Sequence, residues 1–330
     1  MGLAARDGPL AWGILSTARI GARLVEGAAK TDAAEVVAVA SRDGATAQAF
    51  ADAFDIARAH ESYAALLADP GVEAVYVPLP NSMHVDWCVQ ALEAGKHVLC
   101  EKPMDRRPEQ VARAFDVAEA QGLVLSEAFM WRHHPQTQRL RGLLDEGAIG
   151  TVRLVRACFS FVLAGDVDGR LDPALDGGGL IDVGCYCVSG ARLVAGEPVS
   201  VSAQAVTGPT GVDMRMSALL RFDGDVLGVI DCGLDTYSRG ELEIVGDEGR
   251  VVVPDPWHAI DPKLVVERGF EREVVAVEAA DSYARELEDM AAAIAGERPA
   301  LLGRDDALGQ ARTIEALYRS AEEGRAVVLP

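Results

Sequence analysis

The sequence predicts an α/β protein with two domains, residues 1–130 and 131–330. The first is expected to hold a doubly wound parallel sheet, and the second an α+β domain with a mostly antiparallel open sheet. Up to residue 130, short apolar runs alternate with helical stretches, which is the pattern of βαβ units. After residue 130, strand-like runs follow one another with turns between them, which is typical of an antiparallel sheet.

The strands predicted in the first domain are almost uninterrupted apolar runs, as a sheet covered on both faces requires. They are residues 10–15, 35–41, 72–80, 97–101 and 123–128. Helices are predicted between them, and glycines such as Gly95 and Gly122 mark where two of these helices end. The helices are residues 20–30, 45–54, 61–71, 82–95 and 107–122.

The second domain is predicted to combine helices with a meander of strands. Turn residues such as Asp223 and Gly224 separate the apolar runs of the meander. The predicted helices are residues 135–147, 180–194, 281–296 and 304–324, and the predicted strands are residues 151–163 and a series within 199–277.

The composition is that of a globular protein, since 49% of the residues are hydrophobic and 25% are charged. The net charge of −20 opposes binding to nucleic acid and to anionic membrane surfaces. No apolar run approaches the length of a membrane span, and the N-terminus carries no secretory signal, so a cytoplasmic location is expected. Six cysteines without C-x-x-C or zinc-finger spacing predict free thiols and no metal site.

The turn after the first strand has the position of a dinucleotide-binding loop. Residues 13–21 read GILSTARIG, so the three glycine positions of the Rossmann G-x-G-x-x-G fingerprint hold Ser16, Ala18 and Gly21. The two hydroxyl groups and the N–H groups at the helix start suit a phosphate. A plain strand-to-helix turn is the alternative for this stretch alone. The residues predicted to bind a cofactor here are Ser16, Thr17, Ala18, Arg19 and Ile20.

The end of the second strand indicates which dinucleotide is bound. An NAD site usually has Asp or Glu near residue 41, which holds the ribose 2′-OH. This chain has Ser41 and Arg42 there, and a hydroxyl with a guanidinium suits a 2′-phosphate. The sequence therefore favours NADP(H), with NAD(H) as the alternative cofactor. A solvated surface arginine is the other interpretation of Arg42.

Polar residues follow two further strands at their carboxyl ends, which is where ligands bind in open α/β sheets. The strand at 97–101 ends in Glu101, Lys102 and Pro103. A surface ion pair between the first two is the alternative, and such a pair contributes little to stability. For His84, a capping or packing role is the alternative to lining the site. The predicted cofactor-binding residues at these ends are Pro78, Leu79, Asn81, His84, Glu101 and Lys102.

Five stretches resemble the glucose–fructose oxidoreductase / inositol dehydrogenase / MocA (Gfo/Idh/MocA) family. They are GILSTARIG, AVASRD, PLPNSMH at 78–84, AGKHVLCEKPM at 94–104 and GGGLIDVGCYCV at 177–188. Within the family, SEAFMWRHHPQ at 126–136 and DVGCYC look most like the branch of dimeric dihydrodiol dehydrogenase and NADP-dependent xylose dehydrogenase. The inositol dehydrogenase branch usually has His where this chain has Tyr186.

The resemblance implies a cis peptide between Lys102 and Pro103, and it implies that Asp182 and Tyr186 contact the substrate. If residues 180–194 are helical, these two side chains are four residues apart and share a face. Tyr186 is then the proton carrier. A phenol has a pKa near 10, which the ammonium of Lys102 would lower. Asp182 would orient a sugar hydroxyl.

The resemblance also places Trp131 and Arg132 near the substrate, with a structural role at the domain junction as the alternative. The expected function is an NADP-dependent oxidoreductase acting on a sugar or cyclic polyol, similar to an aldose 1-dehydrogenase. A trans-dihydrodiol dehydrogenase, a ketosugar reductase and a non-catalytic NADP-binding sensor are the alternatives. Residues 1–130 would bind NADP, and residues 131–330 would bind substrate and form a homodimer or homotetramer. Hydride transfer needs no metal.

Overall fold

The computed structural model describes residues 8–165 and 168–330. These residues form two compact units. The first unit comprises the described residues up to Asp105, together with Glu109–His133 and Asp281–Leu308. The second unit comprises Arg106–Pro108, the described residues of His134–Ala280, and Gly309–Pro330.

The first unit contains a six-stranded parallel sheet in the order β3-β2-β1-β4-β5-β6. The order reverses between β1 and β4, as in doubly wound Rossmann folds, where ligands bind outside the carboxyl ends of the strands. The predicted parallel sheet is therefore confirmed, with β3 as a strand that the sequence did not reveal. The strands are β1 (Leu10–Leu15), β2 (Ala34–Ala40), β3 (Arg58–His60), β4 (Ala74–Val77), β5 (His97–Glu101) and β6 (Leu125–Ala128).

The helices of this part of the chain follow the predicted order, and each begins or ends within a few residues of its expected bounds. The largest difference is at the predicted helix 61–71, of which only Tyr63–Leu67 is helical, because Pro70 and Gly71 follow it closely. The helices are α1 (Arg19–Ala28), α2 (Gly44–Phe54), α3 (Tyr63–Leu67), α4 (His84–Glu93, preceded by a 3₁₀ turn at Asn81–Met83) and α5 (Pro108–Gln121).

The second unit contains a nine-stranded sheet in the order β14-β13-β12-β11-β7-β10-β9-β8-β15. Only β7 and β10 pair in parallel among its strands in the described residues, so the predicted mostly antiparallel sheet is confirmed. The strands are β7 (Val152–Val162), β8 (Pro198–Thr207), β9 (Asp213–Phe222), β10 (Leu227–Gly233), β11 (Asp235–Gly246), β12 (Arg250–Val253), β13 (Lys263–Arg268), β14 (Glu271–Ala276) and β15 (Val327–Val328).

Four further helices complete the fold: α6 (Pro135–Asp145), α7 (Cys185–Ala195), α8 (Ser282–Ile294) and α9 (Arg304–Glu323). Helix α8 belongs to the first unit, although the sequence assigned residues 131–330 to one domain. The chain thus returns to the first unit at α8. This return depends on contacts between distant residues, which the strand and helix patterns of the sequence do not indicate. The functional bounds 1–130 and 131–330 stay a prediction.

One stretch, Pro173–Ala195, is long and apolar enough to cross a membrane by length and composition, with a mean hydropathy of 1.2. The expectation that no apolar run approaches this length was therefore wrong among the described residues. Within the protein, 72% of this stretch is buried, which is typical of a core helix and gives no support to a membrane span.

Gly27 allows α1 and α8 to approach closely within the first unit. A Cβ atom on Gly27 would lie 2.6 Å from Tyr283 Cβ and 3.0 Å from the backbone nitrogen of Ala284. We expect Gly27→Ala to lower the free energy of unfolding by about 1–3 kcal/mol, because the clash forces the helices apart. Denaturant unfolding measures this change.

Gly21→Ala is the matched control in the same helix. Its added Cβ would meet Ile14 Cγ2 at 3.5 Å and Phe50 Cζ at 3.6 Å, which is ordinary contact. Since alanine favours a helix by roughly 0.5–1 kcal/mol over glycine, we expect this variant to be at least as stable as wild type. Equal stability of the two variants would contradict the packing account of Gly27.

Candidate active site

Ser16 occupies the first glycine position of the turn after β1 and keeps a backbone conformation that glycine favours, with φ of +148°. Its hydroxyl donates to the carbonyl of Pro78 at 3.1 Å and accepts the N–H of Ala18 at 3.2 Å. The side chain thereby bridges the turn after β1 and the segment after β4. Thr17 and Ile20 on this turn are partly exposed, and Arg19 is exposed.

The end of β2 places Arg42 in solvent next to Ser41. The next residue, Asp43, uses its carboxylate within the protein. It accepts hydrogen bonds from the N–H of Ala45 at 2.9 Å and from the hydroxyl of Thr46 at 3.0 Å. These hydrogen bonds, that from Thr46 first, lower the pKa of Asp43. The acid next to Arg42 is thus the N-terminal cap of α2, and the predicted contact of Arg42 with a 2′-phosphate stays a prediction.

The carboxyl ends of β4 and β5 meet at Glu101. The hydroxyl of Tyr76, which is fully buried, donates to Glu101 Oε1, and the backbone N–H of Lys102 donates to Glu101 Oε2 at 3.0 Å. Burial raises the pKa of Tyr76 well above its usual range, and the nearby Glu101 carboxylate adds to this effect. The peptide between Lys102 and Pro103 is cis, as the resemblance implied. Glu101 therefore orients the backbone from which Lys102 projects.

His84 lies between the segments that follow β4 and β5. Its ring Nε2 is 2.7 Å from the carbonyl oxygen of Leu79, and its Nδ1 is 3.0 Å from that of Pro103. The ring is only 1% exposed, and burial lowers its pKa. These contacts are those of the packing alternative, and the predicted part of His84 in lining the cofactor site stays a prediction. Of its predicted neighbours in the site, Pro78 and Leu79 are buried and Asn81 is partly exposed.

Trp131 and Arg132 are both buried in the first unit, at 1% and 9% exposure. Arg132 Nη1 lies 3.3 Å from Asp306 Oδ1, and its guanidinium sits 5.8 Å from the Trp131 ring centroid. The neighbouring His133 is buried too, and burial, followed by the charge of Arg132, lowers its pKa to about 3. These contacts favour the structural alternative, and the predicted substrate contact of both residues stays a prediction.

Asp182 lies in a π-helical turn at Leu180–Gly184, which leads directly into α7. The expectation of one regular α-helix over residues 180–194 was wrong for this first turn. The turn is anchored from elsewhere in the second unit, since the N–H of Leu180 donates to Asp213 Oδ2 at 2.7 Å and the hydroxyl of Tyr318 donates to Asp213 Oδ1 at 2.9 Å. Single π-helical turns occur frequently at functional sites.

Tyr186, in the first turn of α7, packs its ring into an aromatic cluster. The ring centroid of Phe159 on β7 is 5.4 Å away in an edge arrangement, and that of Trp257 is 5.8 Å away. The indole N–H of Trp257 donates to the carbonyl of Cys158 at 3.0 Å. The ring of Tyr186 is therefore held on its apolar sides, while the residue remains partly exposed.

Several polar residues near Glu101 and near Asp182 were not singled out from the sequence. Tyr76 looked like part of an apolar strand, and Asp213 looked like an ordinary residue at the start of a strand. Arg170, on a 3₁₀ turn before the glycine-rich loop, lies with Nη1 3.5 Å from Asp182 Oδ2. The only sequence feature that could have indicated Arg170 is its position as a cation shortly before the motif GGGLIDVGCYCV at 177–188. No group of three or more metal-ligating side chains occurs within residues 8–165 and 168–330.

Two family models match the chain. Residues 10–129 match the oxidoreductase family with an NAD-binding Rossmann fold, and residues 137–252 match the GFO/IDH/MocA C-terminal domain. Together these matches cover most of both units.

Individual relatives and a solved structure give the same result. A D-xylose 1-dehydrogenase (NADP(+)) of Haloferax volcanii is 41% identical over 96% of this chain and 99% of its own length. A trans-1,2-dihydrobenzene-1,2-diol dehydrogenase of Xenopus tropicalis is 34% identical over 79% of each chain. The crystal structure of a 3-ketoreductase from Actinomadura kijaniata with NADP and TDP-benzene aligns with a TM-score of 0.90 at 33% identity, over 94% of this chain and 98% of its own. The chain belongs to the Gfo/Idh/MocA family of oxidoreductases.

Proposed function

We propose that this protein is an NADP-dependent oxidoreductase acting on a sugar or cyclic polyol, in the manner of an aldose 1-dehydrogenase. The observation that carries the proposal is the likeness to the D-xylose 1-dehydrogenase (NADP(+)), which runs over nearly the whole of both chains. When bound, the nicotinamide cofactor supplies the acceptor or donor of the hydride. The protein must bind the sugar, orient its hydroxyl groups and move a proton.

Two parts of the first unit would hold the cofactor. The turn at residues 16–20 has a glycine-type backbone conformation at Ser16 and leads into the first residues of α1. The backbone N–H groups at the N-terminus of a helix suit a pyrophosphate. Ser41 and Arg42 would hold the 2′-phosphate, because Arg42 is exposed at the end of β2 and a guanidinium pairs well with a phosphate. Pro78, Leu79, Asn81, His84 and Glu101 complete the proposed cofactor site.

Tyr186, Lys102 and Asp182 would perform the proton chemistry. During oxidation of the sugar, Tyr186 takes the proton from the reacting hydroxyl, and during reduction it returns that proton to the carbonyl. The ammonium of Lys102 stabilises the tyrosinate and the oxygen of the substrate. Asp182 accepts a hydrogen bond from a neighbouring sugar hydroxyl and fixes the orientation of the ring.

Arg42→Ala tests the cofactor assignment. We expect this variant to lose about 1.5–3 kcal/mol of NADP(H) binding, the usual contribution of a hydrogen bond to a charged group, while NAD(H) binding stays nearly unchanged. Fluorescence titration with both reduced cofactors measures the two dissociation constants. Arg23→Ala, on an exposed surface pair with Glu26, is the control. Equal weakening of both cofactors by Arg42→Ala would contradict the 2′-phosphate contact.

The activity itself is tested by following NADPH formation from NADP⁺ with D-xylose, D-glucose and trans-dihydrodiols. We expect turnover with at least one aldose. Turnover with the diols alone would favour the alternative of a dihydrodiol dehydrogenase, which the Xenopus relative supports. Turnover only in reverse with ketosugars would favour a ketosugar reductase. Tight NADPH binding without turnover of any of these would favour the sensor.

The proposal includes a cytoplasmic homodimer or homotetramer. The sheet of the second unit exposes apolar side chains on neighbouring strands, with Leu219 of β9 at 57% and Leu227 of β10 at 51% exposure. Such side chains suit burial against a second copy. Light scattering of the purified protein measures the assembly, and a monomer at all concentrations would contradict this part.

A further inference from the structure

We infer that Arg170 is a positioning residue that holds the Asp182 carboxylate in its substrate-binding orientation. The inference rests on the proposed function, in which Asp182 contacts a sugar hydroxyl. Arg170 Nη1 lies 3.5 Å from Asp182 Oδ2. Asp182 sits in a π-helical turn, a local geometry that occurs frequently at functional sites.

Arg170 is itself held by Asp168. Its Nε donates to Asp168 Oδ1 at 2.9 Å and its Nη2 donates to Asp168 Oδ2 at 2.8 Å, which is the bidentate pairing of guanidinium with carboxylate. Asp168 Oδ1 also accepts the backbone N–H of Arg170 at 2.9 Å. One edge of the guanidinium is therefore fixed by Asp168, which leaves Nη1 directed at Asp182.

Two further contacts fix the position of Arg170. Its guanidinium lies 5.3 Å from the centroid of the Phe161 ring on β7. Its carbonyl accepts the N–H of Gly178 at 2.9 Å, and a Cβ on Gly177 would come within 2.4 Å of the same oxygen. The glycine-rich loop that leads into the π-helical turn is thus packed directly against the backbone of Arg170.

The chemistry of arginine suits this role better than that of lysine. A guanidinium presents donors on separate edges and serves two carboxylates at once, whereas an ammonium is a point charge without that fork. The hydrogen bonds that Arg170 donates to the Asp168 carboxylate raise the pKa of Arg170, and the charge of Asp182 adds to this effect. The group is therefore a cation at neutral pH.

The experiment measures sugar kinetics of Arg170→Met, Arg170→Lys, Asp182→Asn and the double variant Arg170→Met/Asp182→Asn with D-xylose and NADP⁺. We expect Arg170→Met to reduce kcat/KM for the sugar by about 10-fold to 10²-fold, since misplacement of an orienting group costs on that order. The KM for NADP⁺ should stay at its wild-type value. Arg170→Lys should recover only a small part of the loss.

The double variant separates positioning from general destabilisation. If Arg170 acts through Asp182, the double variant should be no slower than Asp182→Asn alone, because residues of one network are not additive. Arg221→Met, on an exposed pair with Asp225, is the control and should match wild type. Losses that multiply in the double variant, or normal kcat/KM in Arg170→Met, would overturn the inference. Absence of turnover in the wild type with any aldose would instead overturn the proposed function, and the inference with it.

Discussion

Tyr186→Phe is expected to lower kcat by roughly 10²-fold to 10⁴-fold, the usual contribution of a positioned general acid or base. The substitution removes only the hydroxyl group. The ring keeps its contacts with Phe159 and Trp257, at 5.4 Å and 5.8 Å between centroids, so the fold of the second unit should be unaffected. Initial rates with saturating D-xylose and NADP⁺ measure the loss.

Two controls make this result specific to the phenol. NADPH binding should be unchanged in Tyr186→Phe, because the predicted cofactor residues lie in the first unit. Tyr237→Phe removes a hydroxyl from a tyrosine that is 84% exposed on β11, and it should have wild-type kcat. Near-normal turnover of Tyr186→Phe would remove this residue from the chemistry.

Lys102→Met is expected to slow oxidation of the sugar by about 10-fold to 10³-fold at neutral pH, since a neighbouring opposite charge shifts a pKa by roughly 1–3 units. In the proposed mechanism, removal of the ammonium raises the pKa of the Tyr186 phenol, so that less tyrosinate is present at pH 7. The loss should therefore shrink as the pH approaches 10, the ordinary pKa of a tyrosine. The pH dependence of kcat, compared with that of the wild type, measures this shift.

Lys263→Met is the matched control for the loss of an ammonium. Lys263 pairs with the exposed Asp261 in the second unit, and surface pairs of this kind contribute little. This variant should have the wild-type pH profile. A Lys102→Met variant that loses activity equally at every pH would contradict the electrostatic role, although it would leave a binding role for Lys102.

Much of the parallel sheet could be predicted because its strands are buried on both faces. In β5, for example, Val98, Leu99 and Cys100 are apolar and fully buried, and glycines at the helix ends mark the boundaries. Strand β3 was missed because Arg58–His60 is three residues long and partly exposed at the sheet edge. Too few apolar residues remain there to produce a pattern.

The candidate site was predictable only where it follows local motifs. The resemblance of residues 94–104 to the family implied the cis peptide at Lys102–Pro103, which the structure shows. The residues that fix the segments of the site come from distant positions. Asp213 reaches Leu180 across 33 residues, and Tyr76 reaches Glu101 across 25. A single sequence carries no record of such contacts.

The π-helical turn at Leu180–Gly184 was also outside the reach of sequence patterns. Its composition is typical of an ordinary helix start. In the structure, the Asp213 carboxylate accepts a hydrogen bond from the Leu180 N–H at the beginning of the turn. The same holds for the return of α8 to the first unit, which depends on the close approach of Gly27 to Tyr283. Both features are decided by packing between distant segments.

In the proposed mechanism, Lys102 and Tyr186 act on the same oxygen of the sugar. A crystal structure of the complex with NADP⁺ and D-xylose measures this directly. We expect Lys102 Nζ and Tyr186 Oη to lie within about 3.2 Å of the hydroxyl at the reacting carbon, the reach of a hydrogen bond. A bound sugar whose reacting hydroxyl touches neither group would contradict this mechanism.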